Sequence, residues 1–92
     1  MKKIIVFGNS ASGKSTLAKK LSLIHSLAHL DLDTLAWQED SLVPTRRDLN
    51  ESFQLTQTFM NTNEGWVIEG CYSDLLELIA DHANEAYFMD LP

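Results

Sequence analysis

The chain has 92 residues, 45% of them hydrophobic, and a formal net charge of −6. These values suit one small globular domain, residues 1–92, and exclude a disordered chain. The acidic balance argues against a general binder of nucleic acid or of membrane surfaces.

The first elements predict a phosphate site. Residues 2–7 form an apolar, β-branched run of strand length. Residues 8–15 read Gly-Asn-Ser-Ala-Ser-Gly-Lys-Ser, the P-loop pattern G-x-x-x-x-G-K-[ST]. A helix is expected from about Gly13 to about residue 24. Its expected apolar face comprises Leu17, Leu21 and Ile24.

Each fixed position of the P-loop pattern has a chemical function in binding a nucleotide. Gly8 and Gly13 permit a tight turn close to phosphate, and the backbone N–H groups of residues 10–15 can surround an anion. The Lys14 ammonium would reach the β- and γ-phosphates, and the Ser15 hydroxyl would be a Mg²⁺ ligand. The alternative is a glycine-rich turn that binds nothing. The expected nucleotide-binding residues are Gly8, Asn9, Ser10, Ala11, Ser12, Gly13, Lys14, Ser15 and Thr16.

A second strand is predicted at residues 28–32, and acidic residues mark its end. Loops that follow the carboxyl ends of parallel strands line the ligand crevice. Asp31 or Asp33 could hold an acceptor hydroxyl as a base, with the other near Mg²⁺ through water. The alternative is that both are solvated turn residues or a helix cap.

The middle of the chain contains a helix, predicted over residues 46–61. Thr45 and Asp48 have the spacing of a capping box, and Gly65 suits the position just after the helix. Trp37 is either a wall of the acceptor pocket or a hydrophobic anchor, and Arg46 and Arg47 either bind an anion or are solvated. The face expected to be buried comprises Leu49, Phe53, Thr56 and Met60.

The third predicted strand, Trp66–Gly70, ends in an acid. An acid at this place holds Mg²⁺ or its bound water in the Walker B arrangement, so Glu69 is the second expected metal residue. The alternative is an acid that merely ends a strand. Cys71 is the only cysteine, which excludes an internal disulfide and is compatible with a reducing cytoplasm.

A short helix at residues 74–83 and a strand at residues 86–91 complete the pattern. The three histidines, His25, His29 and His82, lack the spacing of metal ligands, so we expect structural or solvated roles for them.

No apolar run is long enough to span a bilayer or to form a signal peptide, which favours a cytoplasmic protein without a membrane partner.

Alternating strands and helices predict an α/β fold with a parallel sheet. The loop at residues 8–15, the acids at residues 31–33 and the strand Trp66–Gly70 together resemble P-loop kinases of the adenylate kinase and shikimate kinase type. The tracts at residues 29–37, 66–73 and 88–92 are most similar to bacterial adenylate-kinase-like proteins known as DNA topology modulation proteins.

This resemblance implies a three-layer α/β/α P-loop NTPase fold. Its sheet would have about four strands in the order 2-3-1-4, which brings Glu69 beside the P-loop. It also implies ATP and Mg²⁺ as cofactors and phosphoryl transfer to a small acceptor. The chain departs from adenylate kinases at Ala36 and Ser73, where those enzymes carry arginines that grip the acceptor phosphate. It stops at Pro92, before a lid and a fifth strand, so it corresponds to the N-terminal half to two-thirds of such an enzyme.

Several functions therefore stay open. The first is an ATP-dependent small-molecule phosphotransferase of the nucleoside- or nucleotide-kinase type, or its N-terminal part, in which Lys14, Asp33 and Asp31 are catalytic. The second is an ATPase or nucleotide-binding module with little turnover. The D-x-x-G and N-K-x-D motifs of a GTPase are absent from this sequence, which argues against a GTPase. The acidic net charge argues against DNA binding. Strand 4 would lie uncovered at a sheet edge, which predicts self-association.

Overall fold

The computed structural model describes residues 1–8, 13–32, 49–70 and 73–89, with the side chains of residues 73 and 74 excepted. The strands are β1 (Lys3–Gly8), β2 (Ala28–Asp31), β3 (Trp66–Gly70) and β4 (Glu85–Met89). The helices are α1 (Lys14–His25), α2 (Leu49–Thr62) and α3 (Ser73–Ile79), and a 3₁₀ turn (Ala80–His82) follows α3.

The four strands form one parallel sheet in the order β2-β3-β1-β4. This confirms the predicted α/β class and the predicted strand order. The register places Glu69 of β3 opposite Val6 of β1 on one side and opposite Asp31 of β2 on the other. The carboxyl ends of the three strands therefore meet beside the beginning of α1, because β1 leads towards that helix.

One face of the sheet packs against α1. Ala18 and Leu21 of the helix are buried against every second residue of the strands, because alternate strand side chains point to the same face of the sheet. Ile24 was expected on the buried face of this helix, but its side chain is 63% exposed, so that expectation was wrong. The buried face of α1 ends at Leu21, one turn before Ile24, because the chain leaves the helix at Ser26, whose backbone is left-handed. The strand and connection residues of this core are Ile4, Val6, Leu27 and Val67.

The opposite face packs against α2 and α3, so helices lie on both sides of the sheet. Of the predicted α2 face, Thr56 and Met60 are buried, while Leu49 and Phe53 are partly buried against the core. The regular part of α3 is shorter than the predicted residues 74–83, because its last turn tightens to 3₁₀. The buried core here comprises Ile5, Leu32, Met60, Trp66, Ile68, Leu75, Leu76 and Ile79.

Gly65 has a different role from the one predicted. It lies beyond the end of α2 at Thr62, and the positive-φ glycines of the described residues are Gly8 and Gly13. A Cβ atom at Gly65 would lie 2.8 Å from the end of the Leu27 side chain and 3.3 Å from the Lys2 carbonyl oxygen, so this glycine packs closely against its neighbours. The side chain of Asn63 instead satisfies the helix end, donating from Nδ2 to the Phe59 carbonyl at 2.8 Å.

Strand β4 lies at one edge of the sheet, as predicted. Asn84 ties it to β1: its backbone N–H donates to the Lys3 carbonyl at 2.8 Å, and its Oδ1 accepts from the Lys3 N–H at 2.9 Å. Lys2 also pairs with Glu85 at 2.5 Å. This hydrogen bond raises the pKa of Lys2, so the pair's small contribution is complete at neutral pH and is lost as the pH rises through that raised pKa.

The side chains of β4 are largely exposed, which agrees with the expectation of an uncovered strand at the sheet edge. Phe88 is 63% exposed and Tyr87 is 38% exposed. In the part of the chain that the structure describes, no helix has the length and hydropathy needed to cross a membrane.

Candidate functional site

The site begins where β1 leads into α1. Gly8 has φ 143° and Gly13 has φ 82°, both conformations that favour glycine. Gly13 is the N-terminal cap of α1, so the helix begins close to the predicted position, and the Gly13 carbonyl accepts a hydrogen bond from the Leu17 N–H at 3.1 Å. The N-terminal end of a 12-residue helix therefore lies beside the carboxyl ends of the strands, and the positive end of its dipole favours an anion there.

Glu69 lies at the centre of the site and is only 3% exposed. A buried carboxylate is costly unless hydrogen bonds replace its water, and both oxygens of Glu69 have partners. Its Oε1 accepts from the Ser15 hydroxyl, and its Oε2 contacts the His29 Nε2 at 2.6 Å. The contact with Ser15 joins the end of β3 to the first turn of α1.

The alternation of the strands explains why these groups meet. Val67 packs in the α1 core, so Glu69, two residues later on β3, also points to the α1 face. His29 is opposite Val67 in the register and shares that face, as does Asp31. Three polar side chains of β2 and β3 therefore lie on one face: Asp31 and Glu69 near the carboxyl ends of their strands, and His29 two residues before Asp31.

Two more predicted residues lie at this edge. Lys14 is the first residue of α1 and is 8% exposed, which is unusual for a lysine. Asp31 is half-buried at the last position of β2, directly opposite Glu69. The structure thus brings Lys14, Ser15, Glu69 and Asp31 to the same edge, where Thr16 is exposed on the first turn of α1.

The residue types fit magnesium and a phosphate chain. A hydroxyl and a carboxylate oxygen are hard ligands, and Mg²⁺ is usually held by one or two such groups together with substrate phosphates. Within the described ranges, no three His, Cys, Asp or Glu side chains form a metal cluster of their own. The start of α1 at this edge is the kind of helix end that binds phosphate.

Some of the predicted site residues lie outside the described residues. They are Asn9, Ser10, Ala11 and Ser12 of the expected phosphate loop and the expected catalytic acid Asp33, together with Trp37, Thr45, Arg46, Arg47, Asp48 and Cys71.

The sequence patterns did not predict the contact of His29 with Glu69. We expected a structural or solvated histidine; its side chain is 22% exposed and contacts the buried Glu69, which is compatible with a structural role. The useful signal was its position two residues before Asp31, which places both on one face of β2. Spacing along the chain could not reveal the partner, which is 40 residues away.

An apolar cavity lies away from this site. A cavity of about 240 Å³ is lined by Ile5, Phe7, Leu76, Glu77 and Ala80. Ile5 packs in the α2 and α3 core, so this cavity is on the opposite face of the sheet from Glu69. It does not form part of the polar site.

The comparisons with known proteins support the fold. No family model matches the chain, and no curated protein matches it. It is similar to the crystal structure of an uncharacterized protein from Eubacterium ventriosum, with a TM-score of 0.64 and 17% sequence identity. The match covers 98% of this chain and 53% of that protein, so the chain spans about half of its length.

Proposed function

We propose that the chain binds a nucleoside triphosphate with Mg²⁺ at the edge formed by β1, β3 and the start of α1. The contact between Ser15 and Glu69 carries this proposal, because it joins the hydroxyl and the acid predicted independently as metal ligands. Ser15 was chosen from the loop pattern and Glu69 from the end of a strand. A merely turn-forming loop would not require a buried acid at its side.

The reaction that we propose is transfer of the γ-phosphoryl group to a small acceptor. Magnesium, when bound, supplies charge that stabilises the phosphates. Lys14 would lie against the β- and γ-phosphate oxygens, and the N–H groups at the start of α1 would hold them in place. Ser15 and Glu69 would hold the metal, and Asp31 would orient the acceptor hydroxyl and receive its proton.

A nucleotide-binding module with little turnover is the second candidate. The sequence has arginines only at Arg46 and Arg47. Arginine contacts with the transferring group can supply about 10³–10⁵ in rate, so a shortage of them favours binding over catalysis. ATP is the proposed nucleotide, and the resemblance to adenylate-kinase-like proteins is the reason for preferring it.

Calorimetry with ATP and Mg²⁺ tests the binding proposal. Lys14→Ala should weaken binding on the order of 10- to 100-fold, since it removes a charge-assisted contact. Glu77→Gln is the matched control, because Glu77 is exposed on α3 and its loss also changes one charge. Equal affinities for the wild type and Lys14→Ala would contradict the proposal.

A further inference from the structure

We propose that His29 is a positioning residue that holds the Glu69 carboxylate in the orientation needed for the metal. This inference rests on the proposed function, because it concerns the same magnesium site. It gives His29 of β2 a role in that site that neither the loop pattern nor the acid at the end of β3 predicted. His29 acts through Glu69 and would not touch the metal or the nucleotide.

The geometry of Glu69 supports this role. Its two oxygens are divided between two partners, Oε1 towards Ser15 on α1 and Oε2 towards His29 on β2. A carboxylate held at one oxygen can still rotate about its last bond, whereas one held at both oxygens is fixed. His29 therefore determines that Oε1 faces the start of α1, where the metal would lie.

The His29 ring suits this purpose. An ionised carboxylate only accepts hydrogen bonds, so in that state Nε2 carries the hydrogen of the 2.6 Å contact. The histidine side chain is short and its ring is rigid. The sheet holds β2 beside β3, with His29 opposite Val67. Groups that orient metal ligands in this way commonly change metal affinity about 10- to 100-fold when they are removed.

A purely structural role is the competing explanation. In that case the contact would only fasten β2 to β3, and its loss would lower stability without changing how the site holds metal. The two explanations differ in what happens to metal-dependent binding in folded protein. They also differ in whether the effect of His29 requires the Glu69 carboxylate.

The test measures binding of Mn²⁺ with ATP by electron paramagnetic resonance, alongside ATP binding in EDTA. His29→Ala should lose about 10-fold in Mn²⁺-dependent affinity and change little in EDTA. His29→Gln should recover most of that loss, because its amide nitrogen can donate near the position of Nε2. His82→Ala is the control, since His82 is exposed in the 3₁₀ turn.

A second arm uses Glu69→Gln as the background. If His29 acts through the carboxylate, His29→Ala should have much less effect when Glu69 is already replaced. In wild-type protein, nitrogen-15 spectra of the ring should show a hydrogen on Nε2, which requires no variant to fold. A hydrogen on Nδ1 alone would overturn the inference.

The outcomes separate the two proposals. Wild-type protein that binds no Mn²⁺ with ATP would contradict the proposed function and this inference with it. Wild-type binding that His29→Ala leaves unchanged would overturn the positioning role alone. An equal loss in EDTA, or an undiminished loss in the Glu69→Gln background, would also overturn it.

Discussion

The backbone of Gly8 lies so close to Met89 that a Cβ atom at Gly8 would be 1.8 Å from the Met89 carbonyl oxygen. Gly8 is paired with Met89 in the sheet, so this glycine belongs to the β1–β4 contact as well as to the predicted phosphate loop. At Gly13, by contrast, no described atom lies within 4 Å of such a Cβ. The two loop glycines are therefore required for different reasons.

Gly8→Ala should destabilise the protein more than Gly13→Ala. The first change adds a clash with the backbone of β4 to a conformation essentially restricted to glycine, and should cost at least about 2 kcal/mol. The second only forces a left-handed conformation, at about 1 kcal/mol. Urea denaturation of both variants measures the difference, and equal free energies of unfolding would contradict the assigned role of Gly8.

Glu69→Gln should weaken ATP binding in the presence of Mg²⁺ and much less in EDTA. The amide keeps the size of the side chain but removes the charge that would hold the metal. Calorimetry under the two conditions provides the comparison. A loss of the same size in both would point to a structural role for Glu69, which also joins β3 to α1 through Ser15.

Much of the fold could be predicted from the sequence, because its signals are local. The strand Trp66–Gly70 has the predicted bounds, and the start of α1 follows the glycine that caps it. Parallel pairing followed from the alternation of strands and helices, whereas the strand order depended on the resemblance to a family, and the sheet confirms both. Ile24 was misplaced because helical periodicity does not reveal where a helix leaves the sheet.

The site was only partly predictable. Ser15 and Glu69 each stand in a recognisable pattern, and the structure brings their side chains into contact, as the resemblance implied. The contact of His29 could not be predicted, because its partner lies on the neighbouring strand, 40 residues away in the sequence. Gly65 was also misassigned, since it lies beyond the helix end and packs closely against Leu27, far away in the sequence.

The chain alone should be a poor catalyst. Its sequence has no arginine after Arg47, and arginine contacts with a transferring phosphoryl group supply much of the rate in related chemistry. A coupled assay with nucleoside, nucleotide and shikimate-like acceptors should give turnover far below the roughly 1–100 s⁻¹ of kinases. Turnover within that range for any of these acceptors would favour a complete enzyme.

The chain should self-associate through β4. This edge strand exposes Phe88 and Tyr87, and an exposed apolar edge is a template for pairing with another strand. Phe88→Lys should shift the protein towards monomer in sedimentation equilibrium. Leu23→Lys is the control, because Leu23 is 83% exposed on α1, away from the sheet edge. A wild-type protein that stays monomeric at all concentrations would refute the prediction.

We propose that a nucleoside triphosphate binds where β1, β3 and α1 meet. Titration of nitrogen-15-labelled protein with ATP and Mg²⁺, followed by amide chemical shifts, tests this binding site most directly because it locates the ligand. We expect the largest shifts at Gly13, Lys14 and Ser15, with a further shift at Glu69 and little change in α2. No shifts at millimolar nucleotide, or shifts centred on the apolar cavity beside Leu76, would contradict it.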